Sequence, residues 1–197
     1  MKQFCKLLWV IFVLFFFGFI GDYLYNIHYN YNFKEISKGK VYKSGVIPPD
    51  EIADYVQKYK IKSIIDLRMP DTKDLKLNPE KVTELQAEKK AVAKIKDLNY
   101  FSNPSNQIPS VKNIAFFIQI LDNLENYPIL IHCYHGTGRA ILYSAIYRIE
   151  YEKYSNEEAR LATRDLVLFS SFDNGTPKGE YLKAYVSRKK SRLRDNF

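Results

Sequence analysis

Residues 128–139, Pro-Ile-Leu-Ile-His-Cys-Tyr-His-Gly-Thr-Gly-Arg, constrain this chain more than any other stretch. The apolar run Pro128 to Ile131 reads as a short buried strand, and Ala140 to Glu150 reads as a helix. Only the octet His132 to Arg139 separates them, with glycines at 136 and 138. A strand, a glycine-bearing loop and a helix start together make an anion cradle: backbone N–H groups turn inward and the helix dipole adds positive potential. Cys133 stands at the mouth of that cradle, where a helix N-terminus and nearby cations favour a thiolate. Arg139 follows six residues later, and its planar fork suits two oxygens of a phosphate. Tyr134, His135, Gly136, Thr137, Gly138 and Arg139 are the candidate phosphate-binding residues. The competing reading is a strand ending in an ordinary core cysteine, since cysteine is often a small buried hydrophobe. The glycines, Arg139 and the following helix agree with one another only under the cradle reading.

The pattern Cys-x5-Arg, preceded by His132 and carrying Gly136 at the third place after Cys133, resembles the signature of the cysteine-dependent protein tyrosine phosphatase superfamily. The likeness is to its compact, dual-specificity-like branch and to small bacterial members in particular. Gly39-Lys40-Val41-Tyr42-Lys43-Ser44-Gly45 and Ile61-Lys62-Ser63-Ile64-Ile65-Asp66-Leu67-Arg68 support it, and the similarity runs over roughly residues 33 to 185. Rhodanese-type sulfur transfer also uses a cysteine in an anion-binding loop, but His132 before Cys133 and the spacing to Arg139 favour the phosphatase. The resemblance implies a phosphomonoester hydrolase working through a phosphocysteine on Cys133, with Arg139 holding the phosphate and His132 ordering the loop. It implies no cofactor and no metal, and His28, His132 and His135 make no metal-ligand spacing. His135 could add a donor near neutral pH, or simply face solvent.

Two positions depart from the family pattern. Ala140 stands where a Ser or Thr hydroxyl usually eases breakdown of the phosphoenzyme, a loss that Thr137 could partly relieve. The family's general acid is commonly an Asp in the loop before the helix that opens at Ser110. Here that loop, Ser102 to Pro109, holds no carboxylate, and Asn106 takes the matching position. An amide cannot protonate a leaving alkoxide. Asp71, in the loop after Leu67-Arg68, is the substitute candidate, because loops at the carboxyl ends of strands share one rim. Asp97 precedes its strand, Asp66 reads as structural, and Asp173 is a weaker alternative. These departures keep a second function open, a catalytically weak phosphatase-like module that binds phosphorylated ligands.

Alternating strands and helices imply an α/β domain with a mostly parallel central sheet flanked by helices. Strands are expected at Val41–Lys43, Ile61–Leu67, Leu98–Phe101 and Pro128–His132. Helices are expected after Pro48-Pro49-Asp50 with Ile52, Ala53, Val56 and Tyr59 on one face, and from Pro79 to about Ile95. Another opens at Ser110 with Ile114, Phe117, Ile118, Leu121 and Leu124 inward, one follows the capping box Ser155–Glu158, and a last one runs to about Arg192. Residues 33–197 are long enough for one core and no second domain.

The remainder is not globular. Residues 1–25 are apolar enough for a membrane anchor, with Lys6 the only charge between Phe4 and Asp22. A cleaved signal peptide is the alternative, but no small-x-small site follows the apolar core. Lys2 and Lys6 precede the span and Lys34 is the first lysine after it. The positive-inside bias then puts the domain outside the cytoplasm, which in a bacterium is the periplasm. Residues 26–32 read as a polar-aromatic linker. The net charge of +8 is spread along the chain and densest from Arg188 to Arg194. Such runs are usually a solvated helix end, and no aromatic-interleaved basic motif points to nucleic acid. The partners implied are a phosphorylated protein or small phosphomonoester, and the membrane; oligomeric state is not legible.

Overall fold

The computed structural model describes residues 2–70, 72–73, 75–164 and 170–188. After helix α1 (Lys2–His28) come β1 (Lys34–Ser37), β2 (Val41–Ser44), α2 (Ile52–Tyr59), β3 (Ser63–Asp66), α3 (Val82–Val92) and β4 (Asn99–Ser102). The chain continues through α4 (Val111–Asp122), a 3-10 turn (Leu124–Asn126), β5 (Ile129–His132), α5 (Arg139–Tyr151), α6 (Asn156–Leu161) and α7 (Pro177–Ala184). The strands form one sheet in the order β1-β2-β5-β3-β4. All pairs are parallel except β1 with β2. The mostly parallel, helix-flanked sheet expected from sequence is therefore present. Its antiparallel edge was not foreseen, because Lys34-Glu35-Ile36-Ser37 carries no alternating apolar pattern; a tight turn with Gly39 at φ +63 folds it back on β2.

Strand alternation divides the core between two faces. Val41, Ile65, Ile129 and Ile131 pack with α4 and α5. Tyr42, Ile64 and Leu130 point the other way, against Ile52 of α2 and Val92 of α3. Helix α5 is buried nearly all round, and its Tyr143 meets Phe117 of α4 edge-on at 4.9 Å between ring centroids.

Several local boundaries differ from expectation. Helix α3 starts at Val82 rather than Pro79, because Asn78 and Glu80 are drawn into the interior and Lys81 is extended. Helix α7 ends at Ala184 rather than near Arg192: the Asn156 amide donates to the carbonyls of Leu182, Lys183 and Tyr185, and Tyr185 is extended. Residues 189–197 of the basic tail lie outside the described residues. Leu124 is exposed, not inward, since α4 stops at Asp122 and Asn123 turns the chain by accepting from Glu125 N. Ala53 also faces solvent.

Helix α1 contains a stretch, Lys6–Asn26, long and apolar enough to cross a membrane, and none of it is buried inside the protein. It runs on through His28, and the chain then turns through Tyr31 and Asn32, both at positive φ. That turn is tied to the domain, for the Tyr31 carbonyl accepts from Gly45 N at 2.6 Å and the Tyr31 hydroxyl donates to Glu51.

Phe117→Ala should lower unfolding free energy by about 3–5 kcal/mol, the usual cost of removing a fully buried aromatic ring. Equilibrium denaturation measures it, and a loss under about 1 kcal/mol would contradict the central place given to the α4–α5 contact.

Candidate active site

The carboxyl ends of four strands stand in register, with Ser44 beside His132, His132 beside Asp66, and Asp66 beside Ser102. The segments leaving this row build the rim. Cys133 is the first residue past β5 and is only 3% exposed, at the floor of the loop where it leaves the core.

Three consecutive carbonyls of the loop are held outward. Tyr134 O accepts from Val46 N, His135 O from the Asn32 amide at 2.8 Å, and Gly136 O from Lys43 Nζ at 3.1 Å. In a planar trans peptide the N–H points opposite the C=O, so the amides of His135, Gly136 and Thr137 are turned inward. No hydrogen bond is made by these three N–H groups among the described residues. Inward, unpaired amides at the start of α5 are what an anion cradle needs. The loop can lie this close only because Gly45 and Gly136 face each other: a Cβ on Gly136, whose φ is +72, would fall 2.4 Å from Gly45 N. Tyr134 is half-buried, while His135 and Thr137 are exposed.

Arg139 is buried, and its Nη1 is fully committed. It lies 2.7 Å from Glu80 Oε1 and donates to the carbonyls of Leu67 and Ser105. Its Nε is buried with no partner. Glu80 was missed in sequence, where Asn78-Pro79-Glu80 looks like an ordinary helix start. It also accepts from Met69 N, which ties the β3–α3 loop to the arginine.

Beneath the loop lies a buried ionic cluster. Arg68 donates to both carboxylate oxygens of Asp66 at 2.9 Å and to Glu88 at 2.7 Å. His132 Nε2 lies 3.0 Å from Glu88 Oε1 but off the hydrogen-bond direction, and 3.6 Å from Asp66. Tyr100 donates its hydroxyl to Asp66. Burial pushes the Asp66 carboxyl up, but the charge on His132 and the hydrogen bond and charge of Arg68 outweigh it and hold the group at about 2. Asp66, Glu88 and His132 bring ligand atoms within 4.8 Å, a spacing a cation could use. Arg68 supplies positive charge to both carboxylates there. His132 thus stands beside Glu88 in this cluster, and the signal for Glu88 in sequence is an acid on the buried stripe Leu85, Glu88, Val92.

The loop from Ser102 to Ser110 brings no carboxylate to the rim. Asn103 and Asn113 bond each other and Asn113 also holds the Pro104 carbonyl, while Asn106 is exposed. Asp71 lies outside the described residues. Asp173 is engaged elsewhere, accepting from Ser170 N and paired with Arg164. Ala140 is fully buried against the core. From the far side Lys178 reaches the rim, and its Nζ stands 3.0 Å from where a Cβ on Gly138 would be. Nothing in the sequence around Lys178 announces this.

A glycine-bearing loop with inward amides around a buried cysteine, an arginine held by Glu80 and a mostly parallel sheet beneath fit a cysteine-dependent phosphatase of the protein tyrosine phosphatase type. More particularly, the profile of a family described as DSP-PTPase phosphatase fused to NAD+ kinase matches residues 29–177, and the chain belongs to that family. Its fold is similar to that of TpbA from P. aeruginosa, with a TM-score of 0.59 at 16% identity over 85% of this chain and 91% of that one. The core catalytic domain of the PP-IP phosphatase SIW14 from S. cerevisiae gives a TM-score of 0.59 at 17% identity, over 84% and 91% of the two chains. A DUF442 phosphatase from Shewanella putrefaciens gives 0.54 at 17%, over 81% and 93%. No curated protein sequence matches the chain.

Asp66→Asn removes one partner of a buried ion network and should cost about 3–5 kcal/mol. The Asp66 carboxyl titrates lower in the fold than its ordinary 3.8, so its contribution is full above that value and lost as pH falls toward about 2. Unfolding of the two proteins at a series of pH values should therefore converge in acid. A constant gap down to pH 2 would refute the assignment.

Proposed function

We propose that the protein hydrolyses phosphomonoesters, with phosphotyrosine-type esters as the leading substrate class, through a covalent intermediate on Cys133. The Cys133 thiolate attacks phosphorus, the P–O bond to the leaving group breaks, and water then releases inorganic phosphate and restores the thiolate. The inward amides of residues 135–137 and the Nε edge of Arg139 stabilise charge on the equatorial oxygens. Glu80 fixes the guanidinium, so the arginine meets phosphate already oriented. The single observation that carries this reading is the outward pinning of three loop carbonyls around a buried cysteine. Phosphotyrosine is favoured because a Cys-to-Ser form of TpbA has been seen in complex with it.

A second reading, a module that binds phosphorylated ligands and turns them over poorly, draws on the missing carboxylate in the loop from Ser102 to Pro109 and on Ala140. The apolar helix serves in either case as a membrane anchor, with the lysine bias placing the domain outside the cytoplasm. A reporter enzyme fused to the C-terminus, active only outside, would agree with that orientation; activity only inside would reverse it.

Cys133→Ser should abolish turnover of an aryl phosphate while keeping vanadate binding. Arg139→Lys, which loses the planar fork, should lower kcat/KM about 10²-fold or more. Undiminished hydrolysis by the serine variant would remove Cys133 from the mechanism. Vanadate binding without turnover of even an activated ester in the unaltered protein would select the binding module.

A further inference from the structure

We propose that Lys178 is a catalytic residue of this site: its ammonium, poised over Gly138 at the rim of the cradle, gives the leaving oxygen its proton as the P–O bond breaks. The inference rests on the phosphatase reading and fills the gap left where a carboxylate is expected.

The placement of Lys178 is built, not incidental. It is the second residue of α7, whose start is capped by Thr176 Oγ1 accepting from Gly179 N. Gly179 packs so tightly on the preceding loop that a Cβ there would meet the carbonyls of Asp173 and Phe172. The helix start is therefore fixed, and the lysine stem is aimed across the Phe172 ring, with Nζ 5.6 Å from its centroid. Nζ and Gln107 Oε1 converge on the same spot above Gly138, 3.0 and 3.2 Å from the Cβ position. Gln107 donates its amide to the Leu77 carbonyl and has no ionisable proton to offer.

Among the described residues, the charged groups that act on Lys178 are Cys133 and Arg139. Nearby carboxylates are occupied: Glu180 with Gly175 N and Lys183, and Asp173 with Ser170 N and Arg164. Among the described residues Lys178 has no acidic partner. A free lysine is a weak acid at neutral pH, but burial draws this one down, the Cys133 charge opposes that, and Arg139 adds to it. The net direction is toward the pH range in which a proton donor works best.

The step balances. As the S–P bond forms, the P–O electron pair passes to the leaving oxygen, which takes a proton from Nζ and departs as an alcohol or phenol. The neutral amine then accepts a proton from the water that attacks the phosphocysteine, regenerating the ammonium while sulfur leaves as thiolate.

The test uses the full chain in detergent with aryl phosphates of graded leaving-group acidity and one alkyl phosphate. Lys178→Ala should lower kcat/KM about 10²-fold or more for phenyl and alkyl esters, the usual range for a lost general acid, and little for a dinitrophenyl ester. The basic limb of the pH–rate profile should disappear with it. Lys178→Arg should keep vanadate affinity but not restore the rate on poor leaving groups, because a guanidinium does not give up its proton. Lys178→Gln serves if the alanine variant does not fold. Equal losses for every leaving group, rescued by arginine, would make Lys178 a phosphate anchor and overturn the proposal. Asp71→Asn giving the leaving-group-dependent loss, with Lys178→Ala not giving it, would overturn it in favour of the β3–α3 loop. No turnover of the dinitrophenyl ester by the unaltered protein would instead defeat the phosphatase reading beneath it.

Discussion

An eight-residue loop can hold an anion only if its own carbonyls are kept from competing for the centre, and that constraint organises the rest of this structure. Each of the three carbonyls turned away from the cradle is caught by a different part of the chain: the backbone after β2, a side chain of β2, and the turn that follows α1. Together these contacts decide where the amide dipoles point. The glycine pair at 45 and 136 is the steric counterpart, letting two backbones approach where any side chain would separate them.

Charge is handled with the same economy. Arg139 and Arg68 are both buried, and each is neutralised by a glutamate that the β3–α3 region supplies, Glu80 and Glu88. Desolvating a guanidinium is costly unless it is paired and hydrogen-bonded. Pairing through Nη1 holds the Arg139 guanidinium in one orientation. The glutamate of the second pair, on α3, also stands 3.0 Å from His132 at the end of β5.

The sheet and the family were legible because each rests on local pattern: β-branched runs for buried strands, and a glycine-bearing loop with a cysteine and an arginine at fixed spacing. What escaped was whatever depends on distant segments meeting. Glu80 and Lys178 lie 59 and 39 residues from Arg139, and their neighbours in sequence give no periodic cue. Strand β1 escaped because its four residues carry a single apolar side chain, Ile36, too little for any alternation to register. The ends of α3 and α7 were set by side chains pulling on the backbone, Glu80 inward and Asn156 across, rather than by propensity. The glutamate inside the apolar stripe of α3 is the one distant partner whose oddity could have been noticed beforehand.

The turn after α1 has a practical corollary. Any soluble fragment that begins beyond residue 32 sheds the amide that restrains the His135 carbonyl and the backbone oxygen that receives Gly45 N. Trimming the greasy leader for convenience would thus loosen the very rim whose kinetics such a preparation is meant to report.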